Sequence, residues 1–189
     1  MRVIPHTQNM IKKSFEKAKK LGCLNNSLTK GMANAAGSLG EEAVFHYLKS
    51  KYKGTIVRPD TPNHDILLNG KKIEVKTKRR RVEPKIFYDV SISYTSKHQQ
   101  PDLYLFVSLQ FDNVTFINNK KIYKNLRYVW LLGQKTPDEY FKQCVFWERG
   151  KIDKTNNFKT LNDQYNLKIS DLDEVYFPSR LEQSCSPCL

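Results

Sequence analysis

The chain has 189 residues, enough for one domain with a real core and too few for two comfortable ones. Thirty-two basic residues against nineteen acidic give a formal charge of +13 and a pI near 9.5. Such a surplus favours a polyanionic partner through charge neutralisation and counterion release. Nucleic acid is the first candidate, an anionic membrane surface the second, and a merely soluble basic protein the plain alternative. No apolar run approaches the ~20 residues of a membrane span, and the N-terminus lacks a signal-type apolar segment. Cys23, Cys144, Cys185 and Cys188 are scattered and do not form a disulfide framework. The expectation is a cytoplasmic protein with reduced thiols, in the host cytoplasm if virus-encoded, and not bound to a membrane.

In chain order, residues 7–21 read as a basic amphipathic helix, with Met10, Ile11, Phe15 and Ala18 on one side. A break at Gly22 to Ser27 precedes a second helix over about Ala33 to Lys51. The period then changes to that of strands: Thr55–Arg58, Asp65–Leu68, Lys71–Lys78, Phe87–Tyr94 and Leu103–Phe111. Asn113 marks a turn into Val114–Ile117, and Tyr128–Leu132 is a further strand. Thr136–Lys142 reads as a short helix capped by Thr136 with Pro137 at its first position. Val145–Glu148 is one more strand, and residues 150–170 look polar and irregular. Helices before and after a mixed sheet make an α/β or α+β domain. Its core spans about 29–150, between the basic N-terminal helix and an irregular extension over 150–189. Cys185-Ser-Pro-Cys188 has the spacing of half a zinc knuckle, but no second pair lies at ligand spacing, so it reads as a loose tail.

The informative segment is Asn63-His64-Asp65-Ile66-Leu67-Leu68-Asn69-Gly70-Lys71-Lys72-Ile73-Glu74-Val75-Lys76. Asn-Gly between two apolar runs signals a two-residue type I′ hairpin. That turn fixes the register: Leu68 opposite Lys71, Leu67 opposite Lys72, Ile66 opposite Ile73, and Asp65 opposite Glu74. Alternation puts Ile66, Leu68, Ile73 and Val75 on one face and Asp65, Glu74 and Lys76 on the other. Opposed residues have Cβ atoms ~5 Å apart, where like charges destabilise. Two carboxylates so placed call for a cation. A lysine can serve, a divalent metal is the arrangement with a function, and an exposed strand face with alternating charges is the alternative.

An acidic residue at the start of one strand followed by Glu-x-Lys on the next resembles the PD-(D/E)XK nucleases. Here the pattern is Pro62-Asn63-His64-Asp65, a gap of eight residues, then Glu74-Val75-Lys76. The proline stands three residues before the aspartate rather than beside it. Upstream, Gly37-Ser-Leu-Gly40-Glu41-Glu42-Ala-Val44-Phe-His-Tyr47-Leu48 resembles the first helix of Holliday junction resolvases and related small nuclease-fold proteins, which carry a glutamate at the Glu41 position. At ~100° per residue, Glu41 falls inside the apolar arc of Gly37, Val44, Phe45 and Leu48, and Glu42 is expected toward solvent. Asp102-Leu-Tyr-Leu-Phe-Val107 resembles the next core strand of the restriction-endonuclease-like fold, and Ile169-Ser-Asp171-Leu172 faintly resembles a C-terminal packing segment of some members. The likeness covers about residues 37–110.

The resemblance implies a restriction endonuclease-like fold, a central mixed sheet flanked by helices, and a Mg²⁺-dependent DNA endonuclease. Mn²⁺ would be able to substitute. Asp65, Glu74 and the Val75 carbonyl would hold the metal, with Glu41 supporting a second metal or the attacking water. Lys76 would orient that water or neutralise charge on the phosphate. Lys78-Arg79-Arg80-Arg81, with Lys72, would clamp DNA backbone; a solvated basic loop is the alternative. One residue of Lys97-His98-Gln99-Gln100 would support the site. His46 reads as structural, His64 flanks the site, and the abundant Tyr and Phe read as core. A Holliday junction resolvase is the close variant, and a homodimer stays open. A catalytically idle nucleic-acid-binding module is the alternative of another class, and a peripheral membrane protein a third that residues 7–21 only partly support.

Overall fold

Two residues in the left-handed region set the middle of the sheet: Asn69 has φ 49° and Gly70 φ 86°. Positive φ at both central positions is the type I′ geometry whose twist matches the strands it joins. In this computed structural model, which describes residues 1–21, 32–52, 54–117, 120–153 and 158–177, that turn links β3 (Ile66–Leu68) to β4 (Lys71–Arg80). The pairs are Ile66–Ile73, Leu67–Lys72 and Leu68–Lys71, the register expected from the turn. The Gly22–Ser27 break, Cys23, Cys185 and Cys188 lie outside the described residues.

β3 also pairs with β2 (Ile56–Val57). On the other side β4 runs parallel to β6 (Leu103–Ile117), and β6 pairs antiparallel with β7 (Lys120–Lys135). β1 (Arg2–Ile4), which the sequence did not announce, closes the far edge against β7. The six-stranded sheet therefore has the order β1-β7-β6-β4-β3-β2. Asn113 does not turn the chain. It pairs with Lys124 inside the β6–β7 ladder, just past a register shift at Gln110/Phe111, so long-range pairing overrides its turn preference.

α1 (Gln8–Leu21) and α2 (Met32–Lys51) cover one face. Ala43, Val44 and Leu48 of α2 pack with Ile66, Leu68, Ile73 and Val75 in one core. In α1 the buried stripe is Met10, Ser14 and Ala18, whereas Phe15 is half exposed. The expected Phe15 side is thus wrong by part of a turn. Ser14 tolerates burial because its hydroxyl donates to the Met10 carbonyl at 2.8 Å.

The other face carries a second core of Val90, Ile92, Tyr104, Phe106, Leu132, Tyr140, Leu167 and Ile169. It is covered by a three-stranded sheet in the order β5-β11-β8, made of β5 (Asp89–Ser93), β8 (Val145–Trp147) and β11 (Gln164–Lys168). α3 (Pro137–Gln143) joins it, with the expected Thr136 cap completed as a capping box by Glu139. β9 (Ile152–Asp153) and β10 (Phe158–Lys159) form a small hairpin. The fold is mixed α+β. Strands and α3 together cover the second face, and the 150–170 stretch expected to be irregular instead supplies β11, the middle strand of that cover. Beyond it, Val175 and Phe177 join the first core. Among the described residues no helix is long and apolar enough to cross a membrane.

Candidate active site

The β3–β4 ladder stops at Ile66, one pair short of the expected Asp65–Glu74 pairing. The Asp65 amide donates to the Ile73 carbonyl at 2.9 Å. Its carboxylate folds back to accept the Val75 N–H at 2.8 Å. The side chain thereby replaces a ladder bond, and Asp65 remains beside Glu74 and Lys76 at the mouth of the hairpin.

Glu74 and Lys76 alternate onto the face that the second core covers, so they are not an exposed polar stripe. Glu74 is 6% exposed. Lys76 Nζ donates to Glu74 Oε1 at 2.8 Å and to Gln99 Oε1 at 2.7 Å. Gln99 Nε2 in turn donates to the Pro62 carbonyl at 3.0 Å. Gln99 is therefore the member of the Lys97–Gln100 stretch that reaches the site, and it ties the Lys76 ammonium to the loop that leads into Asp65. The Tyr104 ring lies beneath, 5.9 Å from Lys76 Nζ. Burial and the Glu74 charge push the Tyr104 hydroxyl up to about 12, so it stays protonated.

Burial, then the negative charges of Glu41 and Glu74, push the Asp65 carboxyl up to about 8, against the opposing pull of the Val75 N–H and Lys76. Three carboxyl groups thus share one electrostatic neighbourhood. Glu41 reaches it from α2 because the two glycines of the helix motif leave room. Gly37 lies one turn before Glu41, and a Cβ on Gly40 would stand 2.1 Å from Thr77 Oγ1 of β4. Glu41 Oε2 accepts from Lys17 Nζ of α1 at 2.8 Å, a cationic partner that the sequence reading missed. Glu42 is not turned to solvent as expected. It is 8% exposed and held by Arg58 and by His46 Nε2, the latter at 2.9 Å. The helical wheel counts apolar neighbours only and is blind to an arginine arriving from the start of the sheet. His46 is structural in this sense. His64 lies next to Asp65 in sequence, with a buried Nδ1 that has no hydrogen-bond partner among the described residues.

In charge, this group suits a divalent cation: a buried carboxyl flanked by two more, with its protonated form favoured for want of a counter-charge. In side-chain geometry it is not assembled as a metal cage. Among the described residues no group of three or more His, Cys, Asp or Glu is gathered closely enough to hold a metal ion. Glu41 and Glu74 are turned onto lysines instead.

The basic run after Lys76 is strand, not loop: Lys78, Arg79 and Arg80 pair with Ser108, Leu109 and Gln110. Lys78 Nζ and an Arg80 guanidinium nitrogen both donate to the Asp89 carbonyl, at 3.1 and 2.7 Å. Burial, then the neighbouring Arg80 charge, push the Lys78 ammonium down to about 7. Arg79 stacks on Tyr123 at 4.8 Å, while Arg81 and Lys72 are exposed. No family model, no curated protein and no solved structure matches this chain.

Proposed function

We propose that the chain is a metal-dependent DNA endonuclease of the PD-(D/E)XK kind. The observation that carries this reading is the convergence of Asp65, Glu74, Lys76 and Glu41, from three separate elements, on one neighbourhood where the Asp65 carboxyl is pushed up to about 8. Carboxyls perturbed by burial and like charges cluster at functional sites, which supports this reading.

Asp65, Glu74 and the Val75 carbonyl are the residues that would hold Mg²⁺, with Glu41 adjoining. When bound, the ion would supply Lewis-acid polarisation of a phosphate oxygen and a more acidic water. Lys76, fixed by Glu74 and Gln99, presents an ammonium that stabilises charge developing on the phosphate. Lys72, Arg79 and Arg81 offer cations for the DNA backbone, a role that Lys78 and Arg80 share less directly because Asp89 already engages them. The formal charge of +13 supplies the long-range attraction.

A second reading, an idle nucleic-acid-binding module, draws on the lysines that already sit on Glu41 and Glu74. Incubation with supercoiled, linear, single-stranded and four-way-junction DNA, with Mg²⁺ or with EDTA, separates the two. The nuclease nicks or cuts only with metal. The module binds and leaves every substrate intact. Preference for the four-way junction would make the enzyme a junction resolvase.

A further inference from the structure

The second face buries the rings of Tyr104, Phe106 and Tyr140, but at one end of its three-stranded sheet, where Tyr94 follows β5 and Phe146 lies in β8, two rings are exposed. Tyr94 is 54% and Phe146 41% exposed. Tyr94 lies nearly parallel to Tyr165, with ring centres 6.2 Å apart and planes at 22°. Phe146 stands 5.2 Å from Tyr165 and 6.0 Å from Tyr94. Lys97 Nζ sits 5.5 Å from the Tyr165 ring. Exposed rings beside the Lys97 ammonium suit a ligand that is flat and apolar in one part and anionic in the next, as a nucleotide is. A purely apolar protein surface would bury the same rings but strip water from Lys97 without compensation.

This end of the sheet is joined to the site by a short, hydrogen-bonded path. Tyr94–Ser96 is a single 3₁₀ turn. Lys97 N donates to the Tyr94 carbonyl at 3.1 Å, and Gln99 N to the Ser96 carbonyl at 3.1 Å. Gln99 then accepts from Lys76. A strand whose phosphate lies at Lys76 has these rings within reach of its neighbouring bases.

We infer that the Tyr94–Phe146 end is a stacking platform for unpaired bases, so that the substrate class of the site is DNA with a single-stranded segment adjoining duplex. The inference rests on the nuclease reading for its substrate, and its test does not depend on cleavage. Binding of the full chain in EDTA is compared for a short blunt duplex and the same duplex carrying an oligo-dT tail. The tailed duplex binds at least roughly tenfold more tightly, the worth of about one stacked base. The double variant Tyr94→Ala/Phe146→Ala loses most of that preference while its blunt-duplex affinity, the control for folding, is unchanged. Tyr94→Trp keeps the preference. Equal binding of both duplexes by the native chain, or a preference undiminished in the double variant, overturns the platform. So does a double variant whose only change is dissociation of an oligomer. Cleavage failing in Mg²⁺ while the tail preference holds sinks the nuclease reading and leaves the platform standing.

Discussion

Gly40 of α2 lies against Thr77 of β4 so closely that a Cβ on the glycine would stand 2.1 Å from the threonine hydroxyl oxygen and 3.1 Å from its Cβ. This contact sets the depth at which α2 sits on the sheet, and therefore where the adjacent Glu41 arrives. Gly40→Ala should destabilise the protein by about 1–3 kcal/mol, the usual range for overpacking, despite the better helix propensity of alanine. Thr77→Ala removes the closest atom and should restore part of the loss. Urea denaturation of the two single variants and the double checks this; additive effects would mean that the contact does not determine the spacing.

Two adjacent glutamates should fail in different ways. Glu41→Gln should leave stability almost unchanged and slow metal-dependent cleavage by a factor of order ~10², as expected of a residue positioning a metal or water. Glu42→Gln should cost about 2–3 kcal/mol of stability, because it breaks a buried pair whose arginine is partly exposed. Burial alone would raise the Glu42 pKa, but Arg58, then His46, outweigh it and hold the carboxyl below its ordinary value. The depressed pKa means that this stabilisation is present above the ordinary carboxylate range and is lost as pH falls through the folded value. Denaturation of the native chain and of Glu42→Gln at neutral and acid pH should show the gap closing on the acid side.

The Lys78 ammonium is pushed down to about 7 by burial and then by Arg80, and its effect falls in a more alkaline window. Between about pH 7 and the ordinary lysine value the unfolded chain holds a proton that the folded chain has released, so stability should rise with pH across that window. Lys78→Met should flatten the rise and gain stability near neutral pH. An unchanged slope would mean that Lys78 stays charged against the Asp89 carbonyl.

Salt dependence of DNA binding should divide the basic run. Arg81→Ala and Lys72→Ala should each lower the slope of log affinity against log salt by roughly one unit if each neutralises a phosphate. Arg80→Ala should act chiefly on stability, since its guanidinium caps Asp89 from within the fold. Slopes unmoved by Arg81→Ala and Lys72→Ala would place the DNA-binding surface elsewhere.

The parts of the molecule legible in the sequence are those set by local rules. Asn69-Gly70 admits one turn type, the turn admits one register, and alternation then sorts Ile66 and Ile73 from Glu74 and Lys76. Thr136-Pro137-Asp138-Glu139 announces its helix for the same reason. What depends on distant partners was not legible. Glu42 is buried because Arg58 meets it, Asp65 leaves the ladder because its own carboxylate satisfies Val75, and Lys17 finds Glu41 only once two helices pack. β11 was hidden because its central Asn166, a poor strand former, is buried and pairs with Ser91 and Gln164. Gln99 could be narrowed to a four-residue stretch but not chosen, since only the folded loop shows which side chain reaches Lys76.

The most direct measurement of the central claim is the single-turnover rate of DNA cleavage in Mg²⁺ for the native chain, Asp65→Asn and Lys76→Ala, beside their DNA affinities in EDTA. Asp65→Asn removes charge without changing shape, and Lys76→Ala removes the ammonium that Gln99 holds. Both should lower the rate by a factor of order ~10² or more while affinity stays within a few-fold, because backbone contacts supply most of the binding. Cleavage that persists in EDTA, or an Asp65→Asn rate equal to that of the native chain, would contradict the assignment of the chemistry to this hairpin.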